Sequence, residues 1–129
     1  MKISRNPENI HPPVAPYVHQ IEITEPSRWL TLSGQIGMNI DGSIPEDPVA
    51  QLKIALENIR KNLDHANMGI QDITKLVFYL VGDMEAHQRK EIINDFLQEH
   101  LPCTTLLYVV ALAAPAIKVE IDAWACKEL

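Results

Sequence analysis

The side chains in this sequence that could act on a small molecule are few and scattered: two thiols, five histidines, a pair of strand carboxylates and isolated cations. A thiol becomes a nucleophile when a base or a positive field holds it as thiolate. Cys103 has one histidine near it in sequence, His100, three residues back, so it reads as a plain loop cysteine with a nucleophile as the alternative. Neither Cys103 nor Cys126 stands at metal-ligand spacing from His11, His19, His65, His87 or His100, so no metal is expected. Glu120 and Asp122 alternate with Val119 and Ile121, which makes them outward carboxylates beside Lys118. Thr104 offers one neutral hydrogen bond, and Lys90 reads as a solvated helix lysine.

The elements that must position these groups follow from periodicity and punctuation. Residues 1–16, with Pro12, Pro13 and Pro16, read as an extended lead-in. Val18–Thr24 and Trp29–Ser33 read as strands joined into a hairpin by Glu25-Pro26-Ser27, and Gly34 to Pro45 as a loop. Asp47-Pro48 starts a helix running to about Ala66, with Leu52, Leu56, Ile59 and Leu63 as its apolar stripe. Ile73–Val81 reads as a central strand. Asp83 is placed to cap a second helix to about Glu99, with Ile92, Ile93, Phe96 and Leu97 inward, and Pro102 cannot continue it. Leu106–Leu112 and Ile117–Cys126 complete the order β-β-α-β-α-β-β. Two helices on one face of a mixed sheet make an α+β sandwich. Apolar groups on both sides of the strand after Pro102 then predict self-association through the uncovered face.

A chain of 129 residues, 47% hydrophobic and 22% charged, is expected to be one globular domain, 1–129. Its net charge of −6, with no Lys/Arg cluster, argues against nucleic acid as a partner. Two cysteines make no disulfide framework, which fits a reduced, cytoplasmic setting. The first residues have no apolar signal core, and no run reaches the roughly 18 apolar residues of a membrane span.

Five segments, taken in order, resemble the RidA-like (YjgF) family of imine/enamine deaminases. They are Ala15-Pro16-Tyr17, Leu32-Ser33-Gly34-Gln35-Ile36, the helix Gln51–Gly69, Lys75–Leu80 with Asp83-Met84, and Lys118–Ala123. The resemblance covers nearly the whole chain. It implies a chorismate-mutase-like subunit, a homotrimer whose sheets build a central barrel, and small-molecule sites in the clefts between subunits. It implies hydrolysis of 2-imino or enamino acids to 2-oxo acids plus ammonia, with no metal or organic cofactor, because an imine carbon is already electrophilic.

By the same resemblance Glu120 orients the attacking water. Tyr17 stands at the cleft mouth, with a buried aromatic as the other reading. Ser33 and Gly34 present backbone N–H groups to the ligand. Thr104 occupies the position of the arginine that grips the substrate carboxylate, from the family's Pro-Ala-Arg-Ser stretch. Leu106 stands where many members carry a small polar residue or cysteine, and Lys90 falls near a second-helix asparagine. The missing arginine keeps a second reading open: a member that binds a metabolite without deaminating it, or runs another reaction. An endoribonuclease fits so acidic a chain poorly.

Overall fold

The computed structural model describes residues 1–129. Its elements are β1 (Lys2–Arg5), β2 (Gln20–Ile23), β3 (Ser27–Thr31), β4 (Gln35–Ile36), α1 (Pro48–His65), β5 (Ile73–Leu80), α2 (Ala86–Leu97), β6 (Cys103–Tyr108) and β7 (Val119–Glu128). The main sheet runs β3-β7-β5-β6, with β4 also paired to β7. β5 and β6 are parallel, and every pairing to β7 is antiparallel. The expected α+β architecture, two helices on a mixed sheet, is therefore present.

The core lies between the helices and one face of this sheet. Leu52, Ile59 and Leu63 of α1 meet Leu76 and Leu80 of β5 and Val119 and Ile121 of β7, all essentially inaccessible to water. Each such side chain contributes about 1.5–3 kcal/mol on burial. Asp47 caps α1 as expected, its Oδ1 accepting from the Val49 N–H at 3.0 Å, and Pro48 fills the first turn. The alternate residues Val77 and Tyr79 of β5 and Glu120, Asp122 and Trp124 of β7 point to the opposite face and stay half-exposed. Neither helix covers that face.

Residues 2–5 of the lead-in are extended as expected and form β1, which pairs with β2, Arg5 donating to Gln20 Oε1 and to Glu22 Oε1. Three local expectations fail, each for a physical reason. β2 and β3 consequently form no hairpin. Glu25 takes a positive φ of 70°, and β3 pairs instead with β7, which offers an apolar central strand. The second helix starts at Ala86 rather than at Asp83. Met84 is buried, and the Glu85 carboxylate accepts from the N–H groups of His87 and Gln88. The strand after Pro102 begins at Cys103 and ends at Tyr108, where β5 runs out. Beyond the Val109 N–H bond to the Leu80 carbonyl there is no partner, and Val110 is 99% exposed. The apolar run Leu106–Leu112, with Val109 and Val110 in it, favours strand, but a strand extends only as far as its neighbour.

A buried amide ties the loops together. The Gln51 side chain is fully inaccessible; its Nε2 donates to the Pro45 and Ala116 carbonyls, and its Oε1 accepts from the Lys118 N–H, at 2.8–2.9 Å. Gly37 packs against the Gln51 backbone so closely that a Cβ there would overlap it.

Candidate functional site

The structure sorts the residues singled out above into two clusters. The first is built on a bulge. Leu32 donates its N–H to the Ala123 carbonyl and Gln35 pairs with Ile121, so Ser33 and Gly34 together stand opposite the single residue Asp122. A bulge removes backbone groups from the ladder. The Ser33 and Gly34 N–H groups meet no acceptor within the chain. Glu120, on the open face of β7, lays its carboxylate against the Gly34 Cα, where any Cβ would overlap it. Backbone conformation makes no demand for glycine here; what a Cβ would disturb is the position of the flexible Glu120 carboxylate. Two free donors and a half-exposed carboxylate thus share one small area.

Tyr79 and Asp122 border this cluster. Tyr79 pairs across strands with Glu120, and its hydroxyl donates to Asp122 Oδ2 at 2.9 Å. That acceptor holds the phenol above its usual pKa. Sequence reasoning named Asp122 only as an outward carboxylate and passed over Tyr79; the available signal was the register, since only pairing of β5 with β7 brings them together.

The second cluster lies on the helix side of the sheet. A cavity of about 210 Å³ opens between β6 and α2, lined among others by Ala15, Pro16, Arg89, Lys90, Thr104 and Leu106. Thr104 and Leu106 face it because they pair with Leu76 and Phe78, whose side chains point into the core. Lys90 reaches its rim from α2. Tyr17 stands nearby but does not line it: its hydroxyl accepts from the Val14 N–H at 3.3 Å. The next residue, Val18, donates to the Pro102 carbonyl, fixing this segment beside the start of β6. Arg89 is the lining cation that sequence reasoning passed over. At about 210 Å³ the cavity is smaller than the roughly 300–1,000 Å³ of complete small-molecule pockets.

The two clusters do not meet within one chain. Glu120 and Thr104 sit on opposite faces, two strands apart and three residues out of step, or about 10 Å in each in-plane direction. A larger concavity of about 380 Å³ lies between Met38–Ile40 and α1. It collects none of the candidate residues, and its Glu57 is already paired with Arg60.

Cys103 is no nucleophile in this arrangement. Its thiol leans on the His19 carbonyl at 3.8 Å, and burial pushes its pKa up against the weaker pull of Lys75. His100 turns instead to the Ile73 carbonyl at 2.7 Å. No group of three or more His, Cys, Asp or Glu is arranged to hold a metal ion, and no helix is long and apolar enough to cross a membrane.

A small α+β domain with helices on one sheet face, and a glycine bulge against a strand carboxylate on the other, defines the class of protein. Residues 8–127 match the family described as Endoribonuclease L-PSP, and the chain belongs to it; this is the RidA-like (YjgF) family. The 2-iminobutanoate/2-iminopropanoate deaminase of Escherichia coli K12 is 26% identical over 124 residues, 93% of this chain and 94% of that one. The Rid-family protein YyfB of Yersinia pestis, of unknown function, superposes with a TM-score of 0.84 at 27% identity, over 97% of this chain and 98% of that one. Escherichia coli TdcF, solved with bound serine, gives 0.71 at 26% identity over 96% of this chain and 94% of that one.

Proposed function

We propose that this protein hydrolyses small 2-imino and enamino acids to 2-oxo acids and ammonia, at a site assembled between copies of the chain in a homotrimer. The observation that carries the reading is the pair of free N–H groups at Ser33 and Gly34 beside the Glu120 carboxylate. The N–H groups hold an oxygen of the substrate. Glu120 takes a proton from water as its oxygen adds to the imine carbon and passes it to nitrogen, giving a carbinolamine. It then carries the carbinolamine hydroxyl proton to the amine, so that the C–N bond breaks, ammonia leaves and the carbonyl forms. The imine carbon is electrophilic by itself, so the site needs a base, donors and a dry wall. The deaminase name of the Escherichia coli relative supports the reaction class.

The separation of the two clusters supports assembly. A second copy presenting its Glu120 bulge to the β6–α2 cavity would unite them, with Tyr17 at the mouth. The sheet face without helices supports the trimer: it carries Trp29, 60% exposed, with Tyr79, Asp122 and Trp124 half-exposed. Such a face is covered most simply by copies of itself around a central barrel.

Thr104 and Leu106 favour a second reading. The wall they form is neutral where a substrate carboxylate needs a cation, which suits a member that binds a less acidic metabolite without deaminating it. The test is release of pyruvate from 2-aminoacrylate, generated from serine by a dehydratase, with and without the protein. Release above the spontaneous rate is expected. Release at the spontaneous rate sinks the deaminase reading in favour of the binding one.

Gly34→Ala supplies a local check. Its Cβ must push the Glu120 carboxylate aside, so turnover is expected to fall about tenfold or more. The melting temperature should move little, because the bulge is at the surface. Full activity in Gly34→Ala would mean that the carboxylate does not work from this position.

A further inference from the structure

The stripe of α2 that packs toward β6 does not end in an apolar side chain. Arg89, Ile93 and Leu97 stand at i, i+4 and i+8, and all three line the 210 Å³ cavity. Arg89 is half-buried there. One guanidinium N–H, on Nη1, donates to the Tyr108 hydroxyl at 2.8 Å, and no carboxylate lies within ion-pair distance of the group. Glu85, one turn back, feels the Arg89 charge but makes no ion pair with it, and its carboxylate is engaged by the N–H groups of His87 and Gln88. The remaining guanidinium donors have no partner within the chain.

The whole lining has the same sense. It carries two cations, Arg89 and Lys90, and no carboxylate, over a floor of Phe78, Leu106 and Pro16. A planar fork with free donors, fixed in direction by a neighbouring hydroxyl, matches a carboxylate in two-point contact, whereas a flexible lysine provides only a point charge. The apolar floor suits a short hydrocarbon body.

We propose that Arg89 is the carboxylate-binding residue of this protein. It grips the anion from helix α2, with Tyr108 as its positioning residue, and so takes over from the opposite wall the role that Thr104 cannot perform. The ligand class is then a small monocarboxylate with an apolar side chain. This rests on the reading of the β6–α2 cavity as part of the ligand site, but not on deamination.

The test titrates 2-oxobutanoate, and separately its neutral amide, into wild type, Arg89→Gln, Tyr108→Phe and the double variant Arg89→Gln/Thr104→Arg, by calorimetry. Arg89→Gln should weaken 2-oxobutanoate about tenfold to a hundredfold and leave the amide unchanged. Tyr108→Phe should weaken the acid only a few-fold. Restoring a cation at Thr104, on the facing wall, should recover part of the loss. Equal losses for acid and amide would show a structural role and overturn the proposal. So would wild-type affinity in Arg89→Gln, or no binding of the acid by wild type. Arg89-dependent binding without pyruvate release would remove the deaminase reading and leave Arg89 standing. Pyruvate release with Arg89-independent binding would do the reverse.

Discussion

Glu120→Gln should abolish catalysed pyruvate release, lowering the rate by about a hundredfold to ten-thousandfold, the usual contribution of a positioned acid–base group. The substitution keeps the size of the side chain, so its fit against Gly34 is preserved. It removes the capacity to take a proton from water. Folding should be unaffected, because Glu120 is half-exposed and makes no hydrogen bond or ion pair that holds the sheet. Binding of 2-oxobutanoate should also survive, since the proposed carboxylate grip lies in the other cluster. The result to look for is therefore a loss in kcat with little change in KM. A variant that turns over at the wild-type rate would show that the water is activated elsewhere, with Asp122 and Tyr79 as the next groups to test.

The largest effect on stability is expected at Gln51. Gln51→Leu keeps the volume of a fully buried side chain but strips partners from the Pro45 and Ala116 carbonyls and the Lys118 N–H. Groups left unsatisfied in a dry interior cost about 1–3 kcal/mol each, moderated where a loop can turn its carbonyl to water. A net loss of about 3 kcal/mol is expected, or roughly 10 °C in Tm for a domain of this size. Denaturant unfolding at one fixed protein concentration measures it, because any assembly would make the midpoint concentration-dependent. A change below about 0.5 kcal/mol would mean that the loops before α1 and before β7 hold without this staple. The residue also links stability to function: Lys118 leads into the strand that carries Glu120.

How much of this was legible beforehand differs by element. Helix α1 was readable almost to the residue, because its cap Asp47, its Pro48 and its stripe Leu52–Leu56–Ile59–Leu63 are all local signals. β5 and β7 were readable as strands for the same reason. β6 starts three residues earlier than expected and ends four earlier, because the register with β5 starts at Lys75–Cys103 and the pairing stops at Leu80–Tyr108, whatever the strand propensity of Val109 and Val110. The β2–β3 hairpin was wrong because alternation reports that a segment is a strand and never with which strand it pairs. At the site, Glu120 and Gly34 could be named from a resemblance, but Arg89 could not. Its neighbour Lys90 was chosen instead, and only the rotation of α2 on β6 decides which of two adjacent side chains lies deeper in the cavity.

The sequence by itself determined the α+β class and the identity of the groups available for chemistry, through periodicity and composition, while five ordered motifs carried the resemblance to the family. Tertiary structure alone decided that Ser33 and Gly34 form a bulge with free donors, that Glu120 touches Gly34, that Tyr79 meets Asp122, and that Arg89 faces Thr104 and Leu106 across a cavity. Those relations depend on strand register and helix rotation. A one-residue slip in strand register sends every side chain to the other face, and one residue of helix turns a side chain by about 100°. Both are fixed by contacts between segments far apart in the chain.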